Sequence, residues 1–211
     1  MRTQLLPKVF AWMFLGLIIT FFTGYVVTLN ETLLNGIWDG NFWIILVIIE
    51  LIMIILIHSM IKKVGYTAGI LLFIIYSIIT GLTFSMIFIK FDVKSIMFVF
   101  LVTSVLFGIM SLLGTKINFN KFSNYLIIIL LGALIIGIVN LLILNNPIID
   151  TVISIAFIGI FLISTATEVS SFLNDDYYIK LPENNAVLKC ALSLYVDFLI
   201  VFSKLIRQLK K

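Results

Sequence analysis

Three carboxylates fall where an apolar chain can least accommodate them. Of ten acidic residues, seven lie between apolar runs or at their ends, but Glu50, Glu168 and Asp197 lie inside them. Asp197 interrupts ALSLYVDFLIVF (Ala191 to Phe202), and Glu168 sits in FLISTATEVSSFL. An ionised side chain at the centre of a membrane helix costs about 2.5–3.5 kcal/mol on insertion scales. Such residues mostly face a bundle interior and take part in ion or proton pathways. At helical spacing, Ser164, Glu168 and Ser171 share one face, with Thr165 flanking it. Cys190, Ser193, Asp197 and Lys204 share a face of the next helix. The short connection between these two segments predicts that the stripes pack together. Two carboxylates meeting out of water share a proton and titrate as one coupled unit. When both are ionised, their oxygens suit a hard cation such as Ca²⁺. The spacing thus predicts a joint proton and cation site at Glu168 and Asp197, supported by Ser164, Ser171 and Ser193. For Glu50 the plainer alternative is a protonated carboxyl hydrogen-bonded for packing.

The elements that carry these residues are membrane helices. The chain has 211 residues, 62% hydrophobic and 11% charged, with a mean hydropathy of +1.24. Soluble domains average about 45–50% apolar and about 25% charged residues, and a soluble fold of this size could not hide so much apolar surface. The runs are continuous rather than alternating, so helices and not barrel strands are expected. Seven runs are long enough: Val9 to Leu29, Phe42 to Ile61, Thr67 to Ile89, Ser95 to Gly114, Tyr125 to Leu144, Ile148 to Leu173 and Val187 to Leu205. The expected architecture is a single all-α transmembrane domain over residues 1–211, in a cell membrane. The first run is too long and too aromatic for a cleaved signal peptide.

Loop charges orient the chain. Arg2, Lys8, Lys62, Lys63, Lys116 and Lys121 flank one side, and Glu31 and Asp39 occupy the first loop on the other, which predicts a cytoplasmic N-terminus. The basic tail of Lys204, Arg207, Lys210 and Lys211 prefers the same side, which seven full crossings would not allow. The parity is left open, and the last segment, holding Lys189 and Asp197, is the least hydrophobic. Trp12, Trp38 and Trp43 fall near run ends, where aromatic belts form.

The net charge of +4 is scattered between the runs, which suits anionic headgroups rather than nucleic acid. The single Cys190 excludes an internal disulfide. No Walker loop, H-E-x-x-H or G-x-S-x-G is present, and the only histidine is His58, so the chain reads as a non-enzyme. An intramembrane protease needs two carboxylates, which the count allows but nothing else supports. No cofactor is expected beyond Ca²⁺ as a permeant or bound ion. His58 reads as interfacial, Asn140 as an interhelical hydrogen-bonding residue, and Gly108, Gly132 and Gly137 as close-packing points.

Three stretches resemble a known family. ALSLYVDFLIVFSKLIR (Ala191 to Arg207) closely resembles the C-terminal signature of the Bax inhibitor-1 family, A-L-x-L-Y-x-D-x-x-N-x-F followed by a basic stretch. FLVTSVLFGIMSLLGTKINFNKFSNYL (Phe100 to Leu126) and the acidic IIELIMIILI around Glu50 are similar to further family segments. The resemblance implies seven helices, six of them around a central C-terminal one. It also implies a pH-sensitive calcium leak governed by acids in the last two helices. Asp197 matches the aspartate of the signature, Glu168 stands where the family usually has aspartate, and Glu50 matches a second-span acid on the conducting path or its gate. The chain departs from the pattern at Glu168, at Thr167 where a tyrosine is usual, and at Ile61 where a basic residue is expected beside Lys62 and Lys63. Members of the family also resemble non-conducting regulators that bind membrane proteases or other membrane proteins. A proton-coupled transporter is the third alternative. The expected partners are the lipid bilayer, Ca²⁺ and protons, with membrane proteins under the regulator alternative.

Overall fold

The computed structural model describes residues 2–38, 42–60 and 65–209, without the side chains of His58, Ser59, Met60, Asn124 and Leu141. Asp39, Ile61, Lys62, Lys63, Lys210, Lys211 and the His58 side chain, all used above, lie outside the described residues. Among the described residues the regular structure is entirely helical. The helices are α1 (Leu6–Thr28), α2 (Glu31–Trp38), α3 (Phe42–Met60), α4 (Tyr66–Lys90), α5 (Val93–Lys116), α6 (Ser123–Val139), α7 (Pro147–Asn174), α8 (Asp176–Ile179) and α9 (Glu183–Gln208). Short 3₁₀ turns precede α1 and α6, and a π turn over Asn140–Leu144 extends α6.

Among the described residues six helices are long and apolar enough to cross a membrane, and the pair α2 and α3, bent by 77°, is a seventh if counted as one span. The seven expected runs thus correspond to α1, α3, α4, α5, α6, α7 and α9. Glu31–Trp38, expected as loop from its charge, folds into α2. Its start is fixed by Asn30, whose side-chain oxygen accepts from Leu33 N at 3.1 Å. Its hold is apolar: Ile37 packs with Val27 of α1 and Leu46 of α3. An eight-residue helix is too short to persist alone, so tertiary packing decides it.

Capping residues set the other boundaries. Asp92 precedes α5 and accepts from Ser95 N at 3.1 Å and from the Ser95 hydroxyl at 2.6 Å. Asn146 caps α7 by accepting from Ile148 N and Ile149 N, with Pro147 at the first helical position. Asn140 bonds to Asn146, receiving its N–H at 3.1 Å and donating to its carbonyl at 3.2 Å. The expected interhelical bond is therefore a bond that ties the turn between α6 and α7. The turn passes through Asn145 with φ of 46°, a left-handed conformation that asparagine tolerates.

Burial separates the spans. Within each span's apolar window, 72% of residues are buried in α9, against 28 to 33% in α1, α4, α5 and α7 and 6% in α6. This explains why the last segment is the least hydrophobic: a helix covered by protein need not be soluble in lipid. The chain packs as two compact units, one of Met1–Thr3, Met97–Lys180 and Val196–Lys211, the other of Gln4–Ile96 and Leu181–Tyr195.

Glycines set the closest helix approaches within each unit. In the second unit, a Cβ on Gly81 of α4 would lie 2.6 Å from Thr23 Cβ and 2.8 Å from the Thr20 carbonyl of α1. In the first, a Cβ on Gly114 of α5 would run into the Ala166 backbone of α7. The glycines expected to do this do not. Gly108 and Gly132 face open space, and Gly137 meets only Ile153 at 3.9 Å. Composition alone could not separate glycines at a helix crossing from glycines on an outer face.

Candidate functional site

The first unit brings the two expected acids together. Asp197 of α9 is buried, 6% exposed. Glu168 of α7 lies within electrostatic range of it, and the Ser164 hydroxyl faces the same carboxylate as a hydrogen-bond donor. Asp197 Oδ2 has no hydrogen-bond partner among the described residues. Buried polar atoms are nearly always satisfied, so an orphaned carboxylate oxygen is a place for a proton, a water or a cation.

Packing aims these side chains. Gly114 lets α5 approach α7 at Ala166, two residues before Glu168. Phe198, next to Asp197, packs its ring 5.3 Å from Phe100 and 5.1 Å from Phe107 of α5. That aromatic seat fixes the rotation of this part of α9 and with it the direction of Asp197. Lys204 places its ammonium 4.8 Å over the Phe157 ring.

Glu168 is half-buried, six residues before the end of α7. It accepts a hydrogen bond from the Tyr178 hydroxyl of α8. Burial, and secondarily the Glu168 carboxylate, push the neighbouring Tyr177 phenol above its ordinary value. The expected polar stripe on α7 divides along its length. Ser164 serves Asp197, whereas Ser171 donates to the Asn120 side chain at 3.1 Å. Ser170, one position away, accepts from Phe119 N at 3.1 Å. Ser171 therefore anchors the turn before α6 instead of supporting the pair. On α9, Ser193 is half-buried and the Cys190 thiol is buried.

Glu50 belongs to the second unit and to different company. Its carboxylate accepts from the Thr83 hydroxyl of α4 at 2.7 Å. It lies within electrostatic range of the Tyr76 and Tyr195 phenols, whose rings are 5.8 Å apart. The Tyr195 and Thr20 hydroxyls are 2.5 Å apart, and Thr20 also donates to the Ser77 carbonyl at 3.0 Å. Thr80, also buried, places its hydroxyl beside the Tyr76 and Tyr195 phenols. Glu50 thus ends a cluster of hydroxyls from α1, α4 and α9.

Sequence reasoning missed Tyr178, Arg2, Tyr195, Tyr76, Thr20 and Thr83. For Tyr195 a signal existed, a hydroxyl-bearing residue inside an apolar run two positions before Asp197. Side chains two positions apart on a helix point about 160° away from each other, so this short stretch serves two separate clusters.

Comparison with known proteins decides the family. The family described as Inhibitor of apoptosis-promoting Bax1 matches residues 2–211. The chain belongs to the Bax inhibitor-1 family. Inner membrane protein YbhL of Escherichia coli K12 is 31% identical over 209 residues, 96% of this chain and 89% of its own. A protein of Borreliella burgdorferi is also 31% identical, over 98% of this chain and 91% of its own. One from Deinococcus radiodurans is 23% identical over 93% and 86%. As a Bax inhibitor-1 protein with six or seven apolar spans, this is a multi-pass membrane protein. Among the described residues no three His, Cys, Asp or Glu side chains gather into a metal site.

Proposed function

We propose that this Bax inhibitor-1 protein is a passive, pH-sensitive calcium leak, and not an enzyme, with its N-terminus in the cytoplasm. The observation that carries the reading is the buried Asp197 carboxylate, with one oxygen unpartnered among the described residues, beside Glu168. Such a pair holds one proton between two acids, and losing that proton changes both the charge and the packing of the helices that carry them. Ca²⁺ takes about 6–8 oxygen ligands in a settled site. Glu168, Asp197 and the Ser164 hydroxyl provide too few, and water must complete the shell. That poverty of ligands fits an ion that passes rather than one that stays. Glu50 with its hydroxyl cluster supplies a further polar stretch in the second unit, suited to the path or its gate.

The test is calcium flux into dye-loaded vesicles holding the full chain, followed across a pH series. The native protein leaks calcium in a pH-dependent manner, and Glu168→Gln or Asp197→Asn changes that dependence. Flux absent at every pH sinks the leak and favours a non-conducting regulator that binds other membrane proteins. Flux that requires a co-substrate favours a transporter.

A further inference from the structure

Asp175, after α7 ends, folds the chain back on itself: its N–H bonds to the Ser171 carbonyl at 2.8 Å and its carboxylate accepts from Tyr177 N at 2.8 Å. This Asx-type turn starts α8 and returns Tyr178 toward the helix it follows. The Tyr178 ring, 2% exposed, packs edge-on against Phe172 with centroids 5.6 Å apart. From there its hydroxyl reaches Glu168, ten positions back in the chain.

Arg2 holds the same turn from outside it. Its guanidinium donates to the Tyr178 carbonyl and, at 3.5 Å, to the Phe172 carbonyl. Its charge lies 5.6 Å from the Phe172 ring centroid. A planar guanidinium can bond two carbonyls and stack on a ring at once, which a lysine cannot. The Phe172 carbonyl is one of those left unbonded at a helix C-terminus, where a cation is also favoured by the helix dipole.

We propose that Tyr178 is the positioning residue of Glu168, holding its carboxylate in place through a hydroxyl bond, and that Arg2 clamps the α7–α8 turn that presents Tyr178. The proposal deepens the reading above, since it rests on Glu168 being the working partner of Asp197. The clamp is made by Arg2, far from α7 in the chain, so a distant residue controls how freely an acid near the end of α7 moves. Loosening either part lets the Glu168 carboxyl swing and opens it to reagents that enter from the apolar phase.

Dicyclohexylcarbodiimide, an apolar reagent that modifies membrane carboxyls, reads this directly. The full chain in vesicles is labelled, and the Glu168 and Glu50 peptides are followed by mass spectrometry. Tyr178→Phe keeps the ring contact with Phe172 and removes only the hydroxyl. It raises the Glu168 labelling rate about threefold or more, as loss of one net hydrogen bond allows, and leaves Glu50 unchanged. Arg2→Gln raises Glu168 labelling in the same way. An unchanged Glu168 rate in Tyr178→Phe overturns the positioning role, and an unchanged rate in Arg2→Gln overturns the clamp. An equal rise at Glu50 overturns both, because it reports general loosening. Selective Glu168 labelling in a protein that passes no calcium at any pH upholds the positioning role and sinks the leak.

Discussion

The two units treat an acid inside an apolar run in opposite ways. In the first, Asp197 meets another acid, Glu168, and keeps one buried oxygen without a partner among the described residues. In the second, Glu50 meets hydroxyls: Thr83 donates to it, and the Tyr76 and Tyr195 phenols stand nearby. The starting material is the same, a carboxyl on a membrane helix. The neighbours decide its chemistry. Hydroxyl donors satisfy a carboxyl and tie it to packing, whereas under the proposed function a second acid makes a unit that binds and releases protons.

The widest separation between the two regions is expected in pH response. One protonation step changes an ionised fraction by at most about tenfold per pH unit, and the calcium flux of the proposed leak is expected to vary on that scale. Asp197→Asn flattens the profile, whereas Glu50→Gln changes the flux rate and keeps the profile. If Glu50→Gln flattens it equally, the distinction between the two sites is lost.

Next in size come the helix crossings. Gly81→Leu and Gly114→Leu force a side chain against backbone in the second and first units, and each costs about 1–3 kcal/mol or more. Thermal unfolding in detergent measures this, with Gly108→Leu as the unobstructed control. A control that falls as far as the other two removes the meaning given to close approach.

A smaller loss is expected for Tyr195→Phe, which removes the hydroxyl facing Thr20 at 2.5 Å. The cost is about 1 kcal/mol, typical of one buried hydrogen bond, and the pH profile of flux stays native. A shifted profile would connect the hydroxyl cluster to proton sensing and erase the contrast drawn here.

The smallest change is expected outside both sites, at Asp92. Its carboxylate lies below the ordinary range because the Ser95 hydroxyl, and then its N–H, hydrogen-bond to the ionised form. A carboxyl depressed by folding contributes stability above its unfolded pKa and loses it as pH falls through the folded one. Asp92→Asn therefore lowers the melting temperature slightly at neutral pH, and the gap from the native chain closes on the acid side. A gap that persists unchanged into strong acid excludes the capping account.

Much of the fold is readable before any coordinate. Run length and the absence of charge announce membrane helices, because the bilayer leaves a segment of about 20 apolar residues little choice of structure. The same cost of burying charge picks out Glu50, Glu168 and Asp197. Helical spacing places Ser164 and Glu168 on one face, and both meet Asp197. The same spacing misassigned Ser171, because a face about two turns long can meet different neighbours at its two ends. Asn140 and the outward glycines misled for a related reason: residue type states what a side chain can do, not what stands opposite it.

The amino-acid order alone determined the class of the protein, the position of its spans and the identity of its intramembrane acids, since these follow from local transfer energies. Only the tertiary structure decided that Tyr178 and Arg2 attend Glu168 and that hydroxyls attend Glu50. It also decided that Gly81 and Gly114, not Gly108 or Gly132, carry the crossings. Those facts depend on contacts between residues far apart in the chain, and no local periodicity encodes the partner on the other side.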